Sequence, residues 1–220
     1  MALDIDVIVH SLPALIDGLW ATAVVMGAGF PVGLILGIVT AYAAQSASGA
    51  IRRAALLYVE LVRNVPFLII VYLGFFGLPK LGITISAFAV GTGAIVFCTG
   101  GYFCEIMRAG LRSVPEAQRQ AARSLGMSSM QTQRYVVMPQ LWPLVAPAGT
   151  NLAIQMVKDS SVFSVMSMAE LTFQSQVLTA DTFAYVEIFG TTAFLYWCAN
   201  QVLDMSGQLI ERQLSRWKRL

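Results

Sequence analysis

The residues in this chain that could do chemistry are few, and most stand as charged or polar groups beside long apolar runs. Lys158-Asp159-Ser160-Ser161 gathers two opposite charges and two hydroxyls between two apolar stretches. Asn151 and Gln155 precede it at i, i+4, so one face of a helix there is polar. Glu60 and Arg63 are spaced i, i+3, and such a pair can neutralise itself on one helix face, which lowers the cost of placing both near a membrane boundary. Glu105 and Arg108 repeat the spacing, and Arg112 extends the basic flank. None of this is a hydrolytic set. The only histidine is His10, and Cys98, Cys104 and Cys198 lie in apolar runs with no CxxC pair and no histidine neighbour, which reads as small packing residues and not as metal ligands. No Gly-rich GxxxxGK[ST] loop is present to hold a nucleotide.

The elements that must position these groups are set by composition. The chain is 220 residues long, 57% hydrophobic and 12% charged, with a mean hydropathy of +0.69. Soluble domains carry about 25% charged residues, twice this supply of polar surface. A net charge of +2 is too small to point to nucleic acid. Crossing the hydrocarbon takes roughly 20 apolar residues per helix. Spans are therefore predicted at about 19–44, 56–77, 86–107, 139–157 and 184–205, giving an all-α membrane protein of about five crossings in one domain, 1–220.

Local signals refine each span. Asp4 and Asp6 stand where a cleavable signal peptide would have a basic region, and Met1 to Trp20, interrupted by Pro13, Asp17 and Gly18, reads as an interfacial helix ahead of the first span. Gly27, Gly29, Gly33 and Gly37 put small residues at helical spacing in that span, where another helix can approach closely. The second span contains Glu60, Arg63 and Pro66, and a Gly77–Ile83 loop follows it. Pro143, Pro147 and Gly149 break the fourth, which is tolerated where freed backbone groups face protein or a water-filled path; this makes it the candidate pathway helix. Val162 to Thr182, with Glu170, Gln174, Gln176 and Asp181, reads as a short helix that dips toward the membrane without crossing.

Five crossings place the termini on opposite sides, and the positive-inside rule chooses between the two orientations. With the C-terminus cytoplasmic, the inner segments hold Arg52, Arg53, Arg108, Arg112, Arg119, Arg123, Arg134, Arg212, Arg216, Lys218 and Arg219, and the outer ones only Lys80 and Lys158. The N-terminus is then outside.

The one long polar island, Val114 to Pro139, falls on the cytoplasmic side and has the Gln, Arg, Ser and Ala content of a short surface helix, with Gly126 as a bend. Gln120-Ala121-Ala122, Gly126, Val136, Met138 and Pro139 fall at the intervals of the EAA loop, and the island resembles that loop of the membrane subunits of ABC importers. YVELVRNVPFL at 58–68, GLP at 77–79, GYFCEIMRAGLRSVP at 101–115, RSLGM at 123–127 and KDSS at 158–161 resemble segments of the polar amino acid permeases in particular. Gln120 stands where that family carries a glutamate, and Glu116 lies one turn earlier.

The resemblance implies a type I ABC importer permease in the bacterial inner membrane, multi-pass, with that outside N-terminus periplasmic. It implies a second permease subunit, identical or related, two ABC ATPase subunits and an extracytoplasmic amino acid binding protein. No cofactor or metal would be bound by this chain, ATP and Mg being held by the ATPase. The island would be a coupling helix, with Ala121 and Ala122 small for close approach, Arg119, Gln120 and Arg123 for polar contacts, and Gly126 for a sharp exit. An amino acid brings an ammonium and a carboxylate, and both need partners when desolvated. Asp159 either attracts the ammonium or pairs with Lys158 to cap a helix end; Ser160, Ser161, Asn151, Gln155 and Gln174 are the further path candidates. An ion-gradient-driven secondary transporter is the alternative, although no internal repeat with matching broken helices is present.

Overall fold

Peptide groups in hydrocarbon have only one another to bond, so an apolar chain must close its hydrogen bonds within segments. The computed structural model describes residues 4–215, and among them every regular element is helical. Arg216, Lys218 and Arg219 of the basic tail lie outside the described residues.

The first element, α1 (Ile5–Ala43), is 39 residues long, about 58 Å at 1.5 Å per residue, well beyond the roughly 30 Å of hydrocarbon. Asp4 caps it by accepting from the backbone N–H of Asp6 and Val7. The interfacial segment expected before the first span is not separate: the helix continues through Pro13 and Pro31 without interruption.

The expected second span is not one straight crossing either. Its helix, α2 (Gly49–Asn64), stops at Val65, which is extended at φ −102° and ψ 126° as a residue before proline prefers. Beyond Pro66, α3 (Phe67–Tyr72) continues as π and 3₁₀ turns to Leu81, at 107° to α2. The third, α4 (Ala87–Ser113), has its N-terminus capped by Ser86 and runs on past the expected end at residue 107. By length and composition only α1 and α4 could cross a membrane as single helices among the described residues, the α2–α3 pair together being a third candidate.

Two short helices follow in the polar island, α5 (Glu116–Ser124) and α6 (Ser129–Thr132). A π turn at Gln133–Val137 then leads into α7 (Met138–Asp159). The widened turn sits just ahead of Pro139, which has no N–H to return to the preceding ladder. Pro143 and Pro147 do not break α7, contrary to expectation; Pro143 is buried, and Thr150 Oγ donates to the Ala146 carbonyl just past the second proline. A 3₁₀ stretch at Ser160–Met166 joins it to α8 (Leu171–Thr182), and α9 (Tyr185–Ser215) closes the chain.

Parallel packing of α1 on α4 organises the rest. A Cβ built on Gly29, Gly33 or Gly37 would come within 2.9, 2.6 and 2.8 Å of Ile95, Thr99 and Phe103, so residues four apart on one helix meet residues four apart on the other. Gly27 is out of this register and faces open space. On other faces of α4, Gly101 takes Val62 of α2, and Gly110 takes Leu141 and Val145 of α7. α8 is pinned to α1, where Thr22 Oγ accepts from the Leu171 amide, and to α9, through Ser175–Thr192 and Thr172–Tyr196 hydroxyl contacts.

The glycine register yields a direct test. Gly33→Leu must push α1 off Thr99, which costs about 1–3 kcal/mol. At about 3 °C per kcal/mol for a chain of this size, the melting temperature of the detergent-purified protein should fall by several degrees. Gly27→Ala, whose new methyl meets nothing within 4 Å, should leave it unchanged.

Candidate functional site

The island at 114–139 is a locked double turn and not a loose loop. α5 ends with Gly126 in the left-handed region at φ +81°; the Met127 amide returns to the Ala122 carbonyl and the Gly126 amide to the Arg123 carbonyl. Ser128 then caps α6 reciprocally with Gln131, each side chain accepting from the other's backbone N–H. Gln140 of α7 donates to the Gln118 side chain of α5, so the island is tied to the helix that leaves it.

Its side chains divide by direction. Ala122 is buried against the chain, while Gln120, Ala121, Arg123 and Gly126 are exposed. Arg119 differs from its expected role as an outward charged contact. Its guanidinium folds back, donating to the Leu111 carbonyl at 2.6 Å in the last turn of α4 and lying 3.8 Å from Glu116, with only 21% of its side chain exposed. It fastens α5 to α4. Sequence reasoning missed two outward residues: Leu125 is 82% exposed and Met130 77%, apolar projections on an otherwise polar surface. The available signal was the apolar pair flanking the bend and capping turns.

The second group of residues lies on α7 and α4. Asn151, Gln155 and Lys158 are exposed, at i, i+4 and i+7 along one face of α7, as the spacing predicts. Polar side chains on an outer face of a membrane helix need water or another protein surface. Asp159 is half-buried at the end of this face with the Gln155 amide beside it, and no ion pair joins it to Lys158 among the described residues. Tyr102 of α4 is half-buried, one turn before Glu105 on the same helix. Ser160 is fully buried and donates to the Val157 carbonyl, so it closes the helix end and does not face a path; Ser161 is half-buried. Gln174 packs on α8 beneath Gly18 of α1.

The expected Glu60–Arg63 neutralisation is replaced by a pairing across helices. Arg63 of α2 reaches Glu105 of α4 at 3.4 Å, and Arg108 pairs with the other oxygen of the same carboxylate. The i, i+3 rule allowed the local pair, but α4 presents a carboxylate already oriented by Arg108. Glu60 is exposed and makes no ion pair among the described residues. At the far end from the island, Glu170 is fully buried and caps α8, accepting from the Thr172 and Phe173 amides and from Tyr196 Oη.

Comparison with known proteins agrees with this architecture. The chain is 32% identical to a subunit in the crystal structure of an amino acid ABC transporter with histidines, at a TM-score of 0.90, covering 97% of this chain and 100% of that one. It is 30% identical to the glutamine transport system permease protein GlnP of Escherichia coli strain K12, over 97% of this chain and 99% of that protein. It is 31% identical to the L-cystine transport system permease protein TcyB of Bacillus subtilis, over 93% and 88%. Residues 33–216 match the family described as the binding-protein-dependent transport system inner membrane component. The chain belongs to that family of transport-system membrane subunits.

Proposed function

We propose that this chain is the permease subunit of an ATP-driven importer of a polar amino acid. The observation that carries the reading is the locked island, whose capped helix and left-handed Gly126 form a rigid projection fastened to both α4 and α7. A projection so held can pass a push from a docked partner to the helices that carry the polar face. The chain lacks a nucleotide-binding loop, so hydrolysis belongs to two partner ATPase subunits, which hold ATP and Mg. A second permease subunit faces the polar side of α7, and an extracytoplasmic binding protein delivers the ligand.

The reading places the chain in the bacterial inner membrane with five crossings, the N-terminus periplasmic and the C-terminus cytoplasmic. Arg52, Arg53, Arg112, Arg119, Arg123 and Arg134 lie at the island's end of the bundle, and α9 brings Leu214 back to Arg134 there. Lys80 and Lys158 lie toward the other end, which is the asymmetry the positive-inside rule uses. The amino acid family is supported by the relatives, whose names include glutamine and cystine systems. Chemically, Asp159 with Gln155 beside it suits an ammonium group in a poorly hydrated setting.

Two experiments on the reconstituted complex test this. Gly126→Asp places a branched charge on the outer surface of the bend, where its Cβ meets nothing within 4 Å, at a backbone cost of about 1 kcal/mol. The protein should reach the membrane and assemble while ATP hydrolysis no longer drives uptake; normal uptake would refute the coupling role. Asp159→Ala removes a charged partner worth about 1.5–3 kcal/mol, so uptake should fall roughly tenfold or more with assembly unchanged. Equal losses of uptake and assembly would make Asp159 structural.

A further inference from the structure

A zwitterion released near Asp159 still has to pass the inner part of the membrane, and each of its charges needs a partner there. This inference rests on the importer reading. Helices α2 and α4 border an open concavity of about 460 Å³, lined by Glu60, Arg63, Asn64, Glu105 and Arg108 together with Leu56 and Val59. Glu105 lies eight residues before the end of α4, about 12 Å along the axis from the start of the island. Four charged groups at that depth are stable only if they face water or one another.

The charges are balanced in number but not in engagement. Glu105 is taken up by Arg108, whose side chain is 18% exposed, while Arg63 is held only at 3.4 Å and is 55% exposed. A guanidinium has a planar fork of donors, and one weak contact leaves most of them free. Glu60, one turn before Arg63 on α2, is an exposed carboxylate with no ion pair among the described residues. A cation with most of its donors uncommitted beyond the single Glu105 contact and, among the described residues, an anion with no ion pair thus face the same hollow, a helical turn apart. That is the charge pattern of an α-amino acid in reverse.

We propose that this hollow is a second, weak amino acid site on the inward half of the path, in which Arg63 takes the α-carboxylate and Glu60 the α-ammonium. Weak binding suits an exit position, since a site must be favourable enough to enter and loose enough to leave. Side-chain identity plays no part in this pairing, so the site accepts amino acids of any polar class.

The test uses thiol accessibility in the assembled complex, in inside-out vesicles without nucleotide. Asn64→Cys on the rim is labelled by a membrane-impermeant methanethiosulfonate, with the parent chain as the blank for Cys98, Cys104 and Cys198. L-glutamine, L-arginine and L-glutamate should each slow labelling by the factor 1 + [L]/Kd, about threefold at twice the Kd. Agmatine, which is arginine without its α-carboxylate, should not. Arg63→Gln should abolish protection, and Glu60→Gln, which leaves the Arg63–Glu105 contact in place, should weaken it. A complex that transports while labelling ignores amino acids overturns the site and leaves the importer reading standing; the cluster is then only a tie between α2 and α4. Protection by agmatine equal to that by arginine also overturns it. A complex that takes up no amino acid overturns the importer reading and the site with it.

Discussion

Lipid tails are as apolar as leucine, so in a bilayer no hydrophobic drive brings helices together, and close backbone approach has to supply the attraction. In this chain that approach is the seam between α1 and α4. Gly29, Gly33 and Gly37 form one edge, and Ile95, Thr99 and Phe103 sit directly against it. A helix pair packed through missing side chains has little freedom to slide, because every four-residue step repeats the same fit. Two further helices take their positions from α4, α2 meeting it at Gly101 and α7 at Gly110, while α8 and α9 pack on α1 and α7.

The same helix connects structure to mechanism. α4 passes through Val114 and Pro115 directly into α5, and Arg119 returns from α5 to hold the Leu111 carbonyl. α7 leaves the other side of the island and is tied back by Gln140 to Gln118. A displacement of the island is therefore a displacement of α4 and α7 together. Those two helices carry Tyr102, Glu105, Asn151, Gln155 and Asp159. Tyr102 is about 16 Å up α4 from the island, a distance that a hydrogen-bonded helix spans as a stiff rod. The island and the polar face of α7 thus lie toward opposite ends of the same rigid elements, which is the arrangement the proposed coupling role requires.

What was legible in the sequence was whatever depends on one segment at a time. The all-helical class, the bend at Gly126, the turn at 77–83 and the polar face of α7 follow from apolar length, a positive-φ glycine, punctuation and an i, i+4 repeat. What was not legible depends on a neighbour. Gly27 belongs to the same run of small residues but stands two residues before Gly29, off the four-residue register, and meets nothing of α4. Glu60 and Arg63 satisfy the local pairing rule, yet Arg63 chooses Glu105, forty-two residues away. Pro143 and Pro147 are helix breakers in isolation, but α7 keeps its course, with Pro143 buried and Thr150 bonding the Ala146 carbonyl. Ser160 reads as a polar path residue and proves fully buried, because its hydroxyl has a carbonyl within reach on its own helix.

The island shows how such a shift in one residue changes the chemistry assigned to a surface. Read as a string, its outward contacts are a row of charges, Arg119 and Arg123 about Gln120. Once Arg119 is turned inward to hold α4, α5 presents only the charge of Arg123 and the opposite charge of Glu116, and Leu125 and Met130 stand beside them as large exposed apolar groups. Burying one such side chain contributes about 1.5–3 kcal/mol, more than an exposed ion pair, which contributes about 0–1. On the proposed coupling role, Gln120, where the loop it resembles carries a glutamate, fits this balance: a surface docking chiefly through shape and apolar area loses little when one rim charge becomes a neutral amide of the same length. The shape that such a proposed contact would read is the fixed angle between α5 and α6, which Gly126 and the Ser128–Gln131 cap determine.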